Sequence, residues 1–300
     1  MPKQSIKAVY EKRIVAFLDI LGFSTMIEDS KVDTTLRTQI KNAMEIIYRV
    51  KEYYSDNEGF EQATGIKVTT FSDSIIISYP ENKEDGLFLL LINIIHLQLE
   101  LGALGIMIRG GIAIGDVYHD GRMVFGPAMN EAYMLESRRA VYPRVVIFED
   151  TLKKGIAGTA DHSPYGLKYD LDDIYGCIKN IDYENGGKSD FYFVDFLTKS
   201  DEIIDFGDEY YDWLKRFRVA IVDGLNRYSK SNGGYKNLGK EEKKTYKSVF
   251  KKYRWMLKYW NSVVLDDDAY FPVPDIEKEY QVAFRENYKK LVIKKQYPYY

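Results

Sequence analysis

Apolar and polar positions in this 300-residue chain follow two different periods, and the switches between them mark out the elements. Apolar and β-branched residues crowd 13–20, 65–71 and 74–79, which predicts three strands, with a Ser72-Asp73-Ser74 turn between the last two. After a loop around 29–34, a helical pattern runs to residue 54, and a second helix is expected over 85–103. A strand through 106–117 meets Asp120-Gly121 and a return strand at 122–125. Asp-Gly between apolar runs is a strong hairpin signal. A helix opens after Gly126-Pro127, because proline suits a first helical turn, and extends to 139. A strand at 144–148 follows, then further strand-like pieces over 164–197, including Phe191-Tyr192-Phe193-Val194.

After Asp205 the character turns helical. Leu214, Phe217, Ile221, Leu225 and Tyr228 keep one stripe, and Tyr246, Val249, Tyr253, Met256, Trp260 and Val263 keep another. Such stripes indicate packing within a core or an oligomer. The order of elements predicts an α+β fold over residues 1–200, a mainly antiparallel sheet of ferredoxin-like kind with helices on one face. Residues 201–300 form a helical C-terminal extension.

Composition narrows the setting. With 42 basic and 45 acidic residues the net charge is -3, and no block of like charge forms a nucleic-acid footprint, although the last hundred residues are rich in Lys and Tyr. No nucleic-acid partner is therefore expected. The single cysteine, Cys177, excludes an internal disulfide and fits a reducing cytosol. The N-terminus lacks an apolar signal-peptide core, so a cytoplasmic location is expected. The most hydrophobic stretch, 87–104, is interrupted by Asn93, His96, Gln98 and Glu100, which predicts a buried core helix and no membrane span.

Candidate chemistry begins with Asp19, a carboxylate at the end of an apolar strand, followed at once by Gly22 for a tight turn and Ser24 as a helix N-cap. A lone Asp there could simply cap the next helix, and Asp73 could simply be a turn residue. Together, two strand-end carboxylates beside a backbone-lined turn suit Mg²⁺ and a polyphosphate. Arg109, at a strand start before two glycines, suits a phosphate and a structural ion pair equally. His96 and His119 lack metal-ligand spacing and read as a core and a turn residue; Asp116 reads as a hairpin residue.

Phe17-Leu18-Asp19-Ile20-Leu21-Gly22-Phe23, Phe71-Ser72-Asp73-Ser74 and Arg109-Gly110-Gly111-Ile112-Ala113-Ile114-Gly115 resemble, in order, three motifs of the class III nucleotidyl cyclases. Gly126-Pro127-Ala128-Met129-Asn130-Glu131-Ala132, continuing to Leu135-Glu136, resembles a fourth. The resemblance covers 13–148 and implies a class III cyclase core. It implies two Mg²⁺ or Mn²⁺ ions per site on Asp19, Asp73 and the Ile20 carbonyl, with the amides of Leu21, Gly22 and Phe23 cradling the β- and γ-phosphates. Asn130 matches the residue that orients the ribose, against the plainer reading of a solvated helix position. A homodimer is implied, because in the family the metal carboxylates of one chain face the Asn-bearing helix of the other.

The departures from the family matter as much. The base-reading position four residues before Asp73 is Thr69, where adenylate cyclases carry Lys and guanylate cyclases Glu. The second base-reading position is Pro127, which offers no side-chain hydrogen bond. The position of the transition-state Arg is Met134, leaving Arg138, Arg139 or Arg144 to supply that charge. A site without groups complementary to a purine should not select one strongly. The phrase around Asp19, the Gly-Pro-Ala segment and the helical extension are similar to the pyrimidine cyclases of bacterial Pycsar anti-phage systems. That similarity implies conversion of UTP to 3′,5′-cyclic UMP, a signal to a separate effector. CTP is the close rival substrate, and a catalytically inactive nucleotide-binding module is the rival from another class.

Overall fold

Strand β1 (Glu11–Ile20) is the spine of the first unit, paired antiparallel with β3 (Ser74–Pro80) on one side and β4 (Ile108–His119) on the other. The computed structural model describes residues 8–55, 58–83, 85–158, 171–181, 190–199, 208–230 and 233–263. The chain divides into two compact units, Met1–Ser200 and Asp201–Tyr300. Strands β2 (Lys67–Phe71), β5 (Val124–Phe125), β6 (Val145–Phe148), β7 (Ile178–Asn180) and β8 (Phe191–Val194) complete a sheet of order β2-β3-β1-β4-β6-β8-β7, with β5 paired to β4. β4 and β6 run parallel, and the other pairs are antiparallel. Of the strand-like pieces expected over 164–197, β7 and β8 are strands, Leu171–Gly176 is helical instead, and 164–170 and 182–189 lie outside the described residues.

Helices α1 (Phe23–Asp29), α2 (Thr34–Ser55) and α3 (Glu58–Thr64) connect β1 to β2, and α4 (Gly86–Ala103) connects β3 to β4. The sub-order β2-β3-β1-β4 with helices in these two connections is the ferredoxin-like arrangement. The run Ile14–Leu18 is apolar without alternation and is buried throughout, as a strand covered on both faces must be. One face meets α4, whose Asn93 donates a 2.6 Å hydrogen bond to the Tyr79 hydroxyl of β3. By length and composition α4 could cross a membrane, yet 67% of it is buried within the protein, as expected of a core helix.

The other face carries Val15, Phe17, Ile76, Ala113 and Val117 against Ala128 and Ala132 of α5 (Pro127–Arg138). Gly111 lets α5 lie that close. A Cβ there would sit 2.5 Å from the Leu135 Cβ and against the Ala132 carbonyl. Helices on one face thus describe α2 and α4, which pack together, while α5 adds a cover to the opposite face. The reason is that β1 is apolar on both sides, and both need burial. Helices α6 (Glu149–Gly158) and α7 (Leu171–Gly176) follow β6.

In the second unit α8 (Asp208–Arg227) packs against α9 (Lys240–Val263). Leu214, Phe217, Ile221 and Leu225 are buried from one side and Met256 and Trp260 from the other. The Tyr228 ring lies 4.9 Å from that of Tyr246 and 6.0 Å from that of Tyr253.

Candidate active site

Two polar clusters share the α5 face of the sheet, because Arg13 and Asp19 have the same parity on β1, as do Arg109 and His119 on β4. The first forms at the far end of β1. The β2–β3 turn is tight, with Ser72 at φ 50°, and it carries Asp73 to the end of the neighbouring strand. There the Ile20 N–H donates to the Asp73 carbonyl at 3.1 Å, while Asp19 lies opposite Ser74 on one side and Arg109 on the other. The structure therefore brings Asp19, Ile20 and Asp73 together, and both carboxylates are half-buried.

Arg109 resolves as an ion-pair residue. Its Nη2 lies 2.6 Å from Oε1 of Glu136 and 3.5 Å from Oδ2 of Asp19. Glu136 is only 3% exposed, and a carboxylate so buried needs a cation close by. The guanidinium is thus drawn toward α5 and braces Asp19 from the side. Glu136 was not among the expected site residues, although a signal for it exists. Ala128, Ala132, Leu135 and Glu136 follow one helical face, and an acid on a core-facing stripe calls for a partner.

The loop after β1 holds fewer amides for a ligand than expected. The Leu21 N–H is committed to the Met107 carbonyl at 2.8 Å, which removes Leu21 from the expected phosphate cradle. Gly22 adopts φ 78°, a left-handed conformation that favours glycine, and its carbonyl accepts from the N–H groups of Thr25 and Met26. Gly22, and not Ser24, occupies the N-cap of α1, because the turn is completed two residues earlier than the Ser would suggest. The Gly22 and Phe23 amides find no acceptor among the described residues.

Thr69 does not face outward. It is 3% exposed, and its hydroxyl is hydrogen-bonded to Nε2 of His119 at 2.9 Å. His119 Nδ1 in turn meets the Ser78 hydroxyl at 2.8 Å, and Ser78 accepts from Arg13 Nε at 2.8 Å. Arg13, itself 2% exposed, also donates to the carbonyls of Ser78 at 3.0 Å and Gly65 at 2.5 Å. This second cluster ties the end of β4 back across β3 to β2. Burial, with the positive charges of Arg13 and Lys67 nearby, holds His119 neutral by pushing its pKa down to about 3. The reading of His119 as a hairpin-turn residue is corrected. The turn is made by Asp120, whose carboxylate accepts from the Arg122 and Met123 amides and is held below the usual range by those two bonds. His96 is half-buried on α4, and burial lowers its pKa.

Asn130 lies exposed in the first turn of α5 and makes no hydrogen bond to Asp19 or Asp73 among the described residues; its own N–H donates to the Gly126 carbonyl. Met134 is half-buried on the same helix. Of the three candidate arginines, Arg144 is buried with its guanidinium 5.2 Å from the Tyr142 ring and 5.8 Å from that of Phe193. Arg139 lies over Phe191 at 5.1 Å, and Arg138 is exposed in the last turn of α5.

No family model and no curated protein matches this chain. Among solved structures it is similar to the catalytic core of a rhodopsin-guanylyl cyclase of converted specificity in complex with ATPαS. That likeness has 18% identity and a TM-score of 0.32, covering 62% of this chain and 96% of the other. It is also similar to a class III adenylyl cyclase-like ATP-binding protein from Pseudomonas aeruginosa, with 11% identity and a TM-score of 0.35, covering 86% of this chain and 47% of the other. The chain thus spans about half the length of that second protein. Superposition at these scores is loose.

Proposed function

We propose that the chain is a nucleotidyl cyclase that converts UTP to 3′,5′-cyclic UMP and diphosphate. The observation that carries this reading is the meeting of Asp19 and Asp73 at the end of β1, locked by the Ile20–Asp73 backbone bond at 3.1 Å. The resemblance implies divalent ions, and the donors suit them. Among the described residues no group of three or more His, Cys, Asp or Glu forms a closed metal cage. Two half-buried carboxylates and the Ile20 carbonyl instead offer oxygen alone, the set that Mg²⁺ takes when substrate phosphates complete its shell. Mg²⁺ or Mn²⁺ bound there would supply activation of the 3′-hydroxyl and neutralisation of the departing diphosphate.

The chain's own residues do the positioning. Arg109, held by Glu136, keeps Asp19 turned toward Asp73. The Gly22 and Phe23 amides receive the β- and γ-phosphates. The O3′–Pα bond forms in line as the Pα–diphosphate bond breaks, and the hydroxyl proton passes to solvent. Asn130 of a second copy would orient the ribose, in keeping with its exposed place away from its own chain's carboxylates. Exposed Phe71 on β2 and Tyr133 on α5 offer apolar surface for that copy, so a homodimer completes the site. Selectivity against purines follows from Pro127, which has no donor, and from Thr69, which spends its hydroxyl on His119. The product would signal to a separate effector.

The test is incubation of the purified protein with ATP, GTP, CTP and UTP and Mn²⁺, with products identified by mass spectrometry. Cyclic UMP in excess, lost in Asp73→Ala, is the expected result. Absence of any cyclic pyrimidine, or undiminished synthesis by Asp73→Ala, would sink the reading. Predominant cyclic CMP would reassign the base and keep the chemistry. Met134, where the family has its transition-state Arg, favours a second reading, a module that binds nucleotide without turnover. That module would be stabilised by about 2.7 kcal/mol at 100 times the dissociation constant, and no product would form.

A further inference from the structure

Helix α9 belongs to the second unit and contains none of the residues the proposed reaction uses. The helix carries eight Lys or Arg and two Glu in 24 residues, inside a chain whose net charge is -3. In sequence these cations come singly or in pairs, so they form no run. The helical period lines them up. At about 100° per residue, Lys240, Lys244, Lys247, Lys251, Arg254 and Lys258 all fall within about 40° of one line. The first five are exposed and Lys258 is half-buried. Glu241 and Glu242 project about 100° and 200° from that line, leaving the stripe itself without an acid along about 27 Å of helix.

We propose that this stripe binds the phosphate backbone of a nucleic-acid duplex without reading its sequence. Charge complementarity is the first argument. One cation per about 5.4 Å of a straight helix faces the regular anionic rows of a duplex, and sequence-independent binding of this kind comes from Lys and Arg on phosphates. Two further observations choose the duplex over other polyanions. A membrane surface takes a basic helix whose apolar side enters the lipid, but here Trp255, Met256, Leu257, Tyr259 and Trp260 are buried within the protein. A single strand is held by exposed aromatic platforms, yet the exposed large apolar residue described in this unit is Val219, on α8, and Tyr228, Tyr235, Tyr246 and Tyr253 are spent on one another. The expectation of no nucleic-acid partner rested on the absence of a run. A period of 3.6 residues hides such a surface from any reading of runs. The proposal does not depend on the cyclase reading, since no residue of the stripe belongs to that site.

The test is fluorescence anisotropy of the full chain with labelled 20-base-pair RNA and DNA duplexes, the corresponding single strands, and vesicles containing phosphatidylserine, each from 50 to 300 mM salt. Duplex binding should weaken with salt along a slope of log K against log salt of about −4, for four to five phosphates neutralised. The RNA and DNA arms identify which duplex is preferred. Replacing Lys240, Lys244, Lys247 and Lys251 together by Gln should lower duplex affinity at least tenfold, while replacing the same four by Arg should preserve it. Because all four are exposed, circular dichroism of the Gln variant should match the parent. No duplex binding at 50 mM salt, undiminished binding by the Gln variant, or tighter binding to single strands or vesicles than to duplex would each overturn the proposal.

Discussion

The two polar clusters on the α5 face of the sheet use similar chemistry to opposite ends. At one end of β1, Asp19, Asp73 and Arg109 are half-buried, within reach of solvent. At the other, Arg13, Ser78, His119 and Thr69 are buried and answer one another in a continuous chain of hydrogen bonds. A buried polar group costs stability unless it is paired, so the inner cluster has no donor or acceptor to lend a ligand and serves to pin the β4–β5 hairpin. The outer cluster is joined to α5 through the Arg109–Glu136 ion pair, and its two carboxylates are only half-buried. Burial separates chemistry from scaffolding here, more than residue type does.

Breaking the outer cluster should destroy turnover and spare the fold. Asp73→Ala is expected to lower cyclisation by at least about 10³-fold, in the range of losing a principal electrostatic group, with an unchanged circular dichroism spectrum. Glu136→Gln sharpens the point. It frees Arg109 to close on Asp19, and the Mn²⁺ concentration needed for half-maximal rate should rise by about 10- to 100-fold, as when a group orienting a metal ligand is lost. A titration of rate against Mn²⁺ that matches the parent would show that Glu136 serves packing only.

Breaking the inner cluster should do the reverse. His119→Ala strands the Thr69 hydroxyl, leaves Ser78 with Arg13 only and opens a cavity, and urea unfolding should report a loss of about 2–3 kcal/mol. The folded fraction should keep its turnover. The same ring also makes stability depend on pH. Because the folded pKa of His119 lies near 3 and its ordinary value is 6.5, the unfolded chain binds the extra proton between those limits. The stability this contributes is whole above about pH 6.5 and is lost as pH falls through the window, at about 1.4 kcal/mol per unit. His119→Gln should flatten that part of the stability profile, as measured by unfolding from pH 4 to 7.

Much of the outer cluster was legible because it is local. Asp19 ends an apolar run and Asp73 sits in a three-residue turn, so each announces itself within a few neighbours, and their order along the chain suggested that they meet. Glu136 could have been read from the apolar stripe of α5. The inner cluster could not. Thr69 and Ser78 reach His119 from 50 and 41 positions away, and nothing beside His119 distinguishes a buried ring from a turn residue. Thr69, expected to face a base, turned inward for the same reason.

The sequence by itself determined the long strands and helices, since strand and helix periods are short-range properties, and it determined the pair of carboxylates at neighbouring strand ends. Tertiary structure alone decided which polar side chains are sealed and which stay open. It gave Arg109 to Glu136, took Leu21 out of the phosphate cradle, and laid α5 on the second face of the sheet. Burial is a property of what packs above a residue, and that neighbour is supplied by distant parts of the chain.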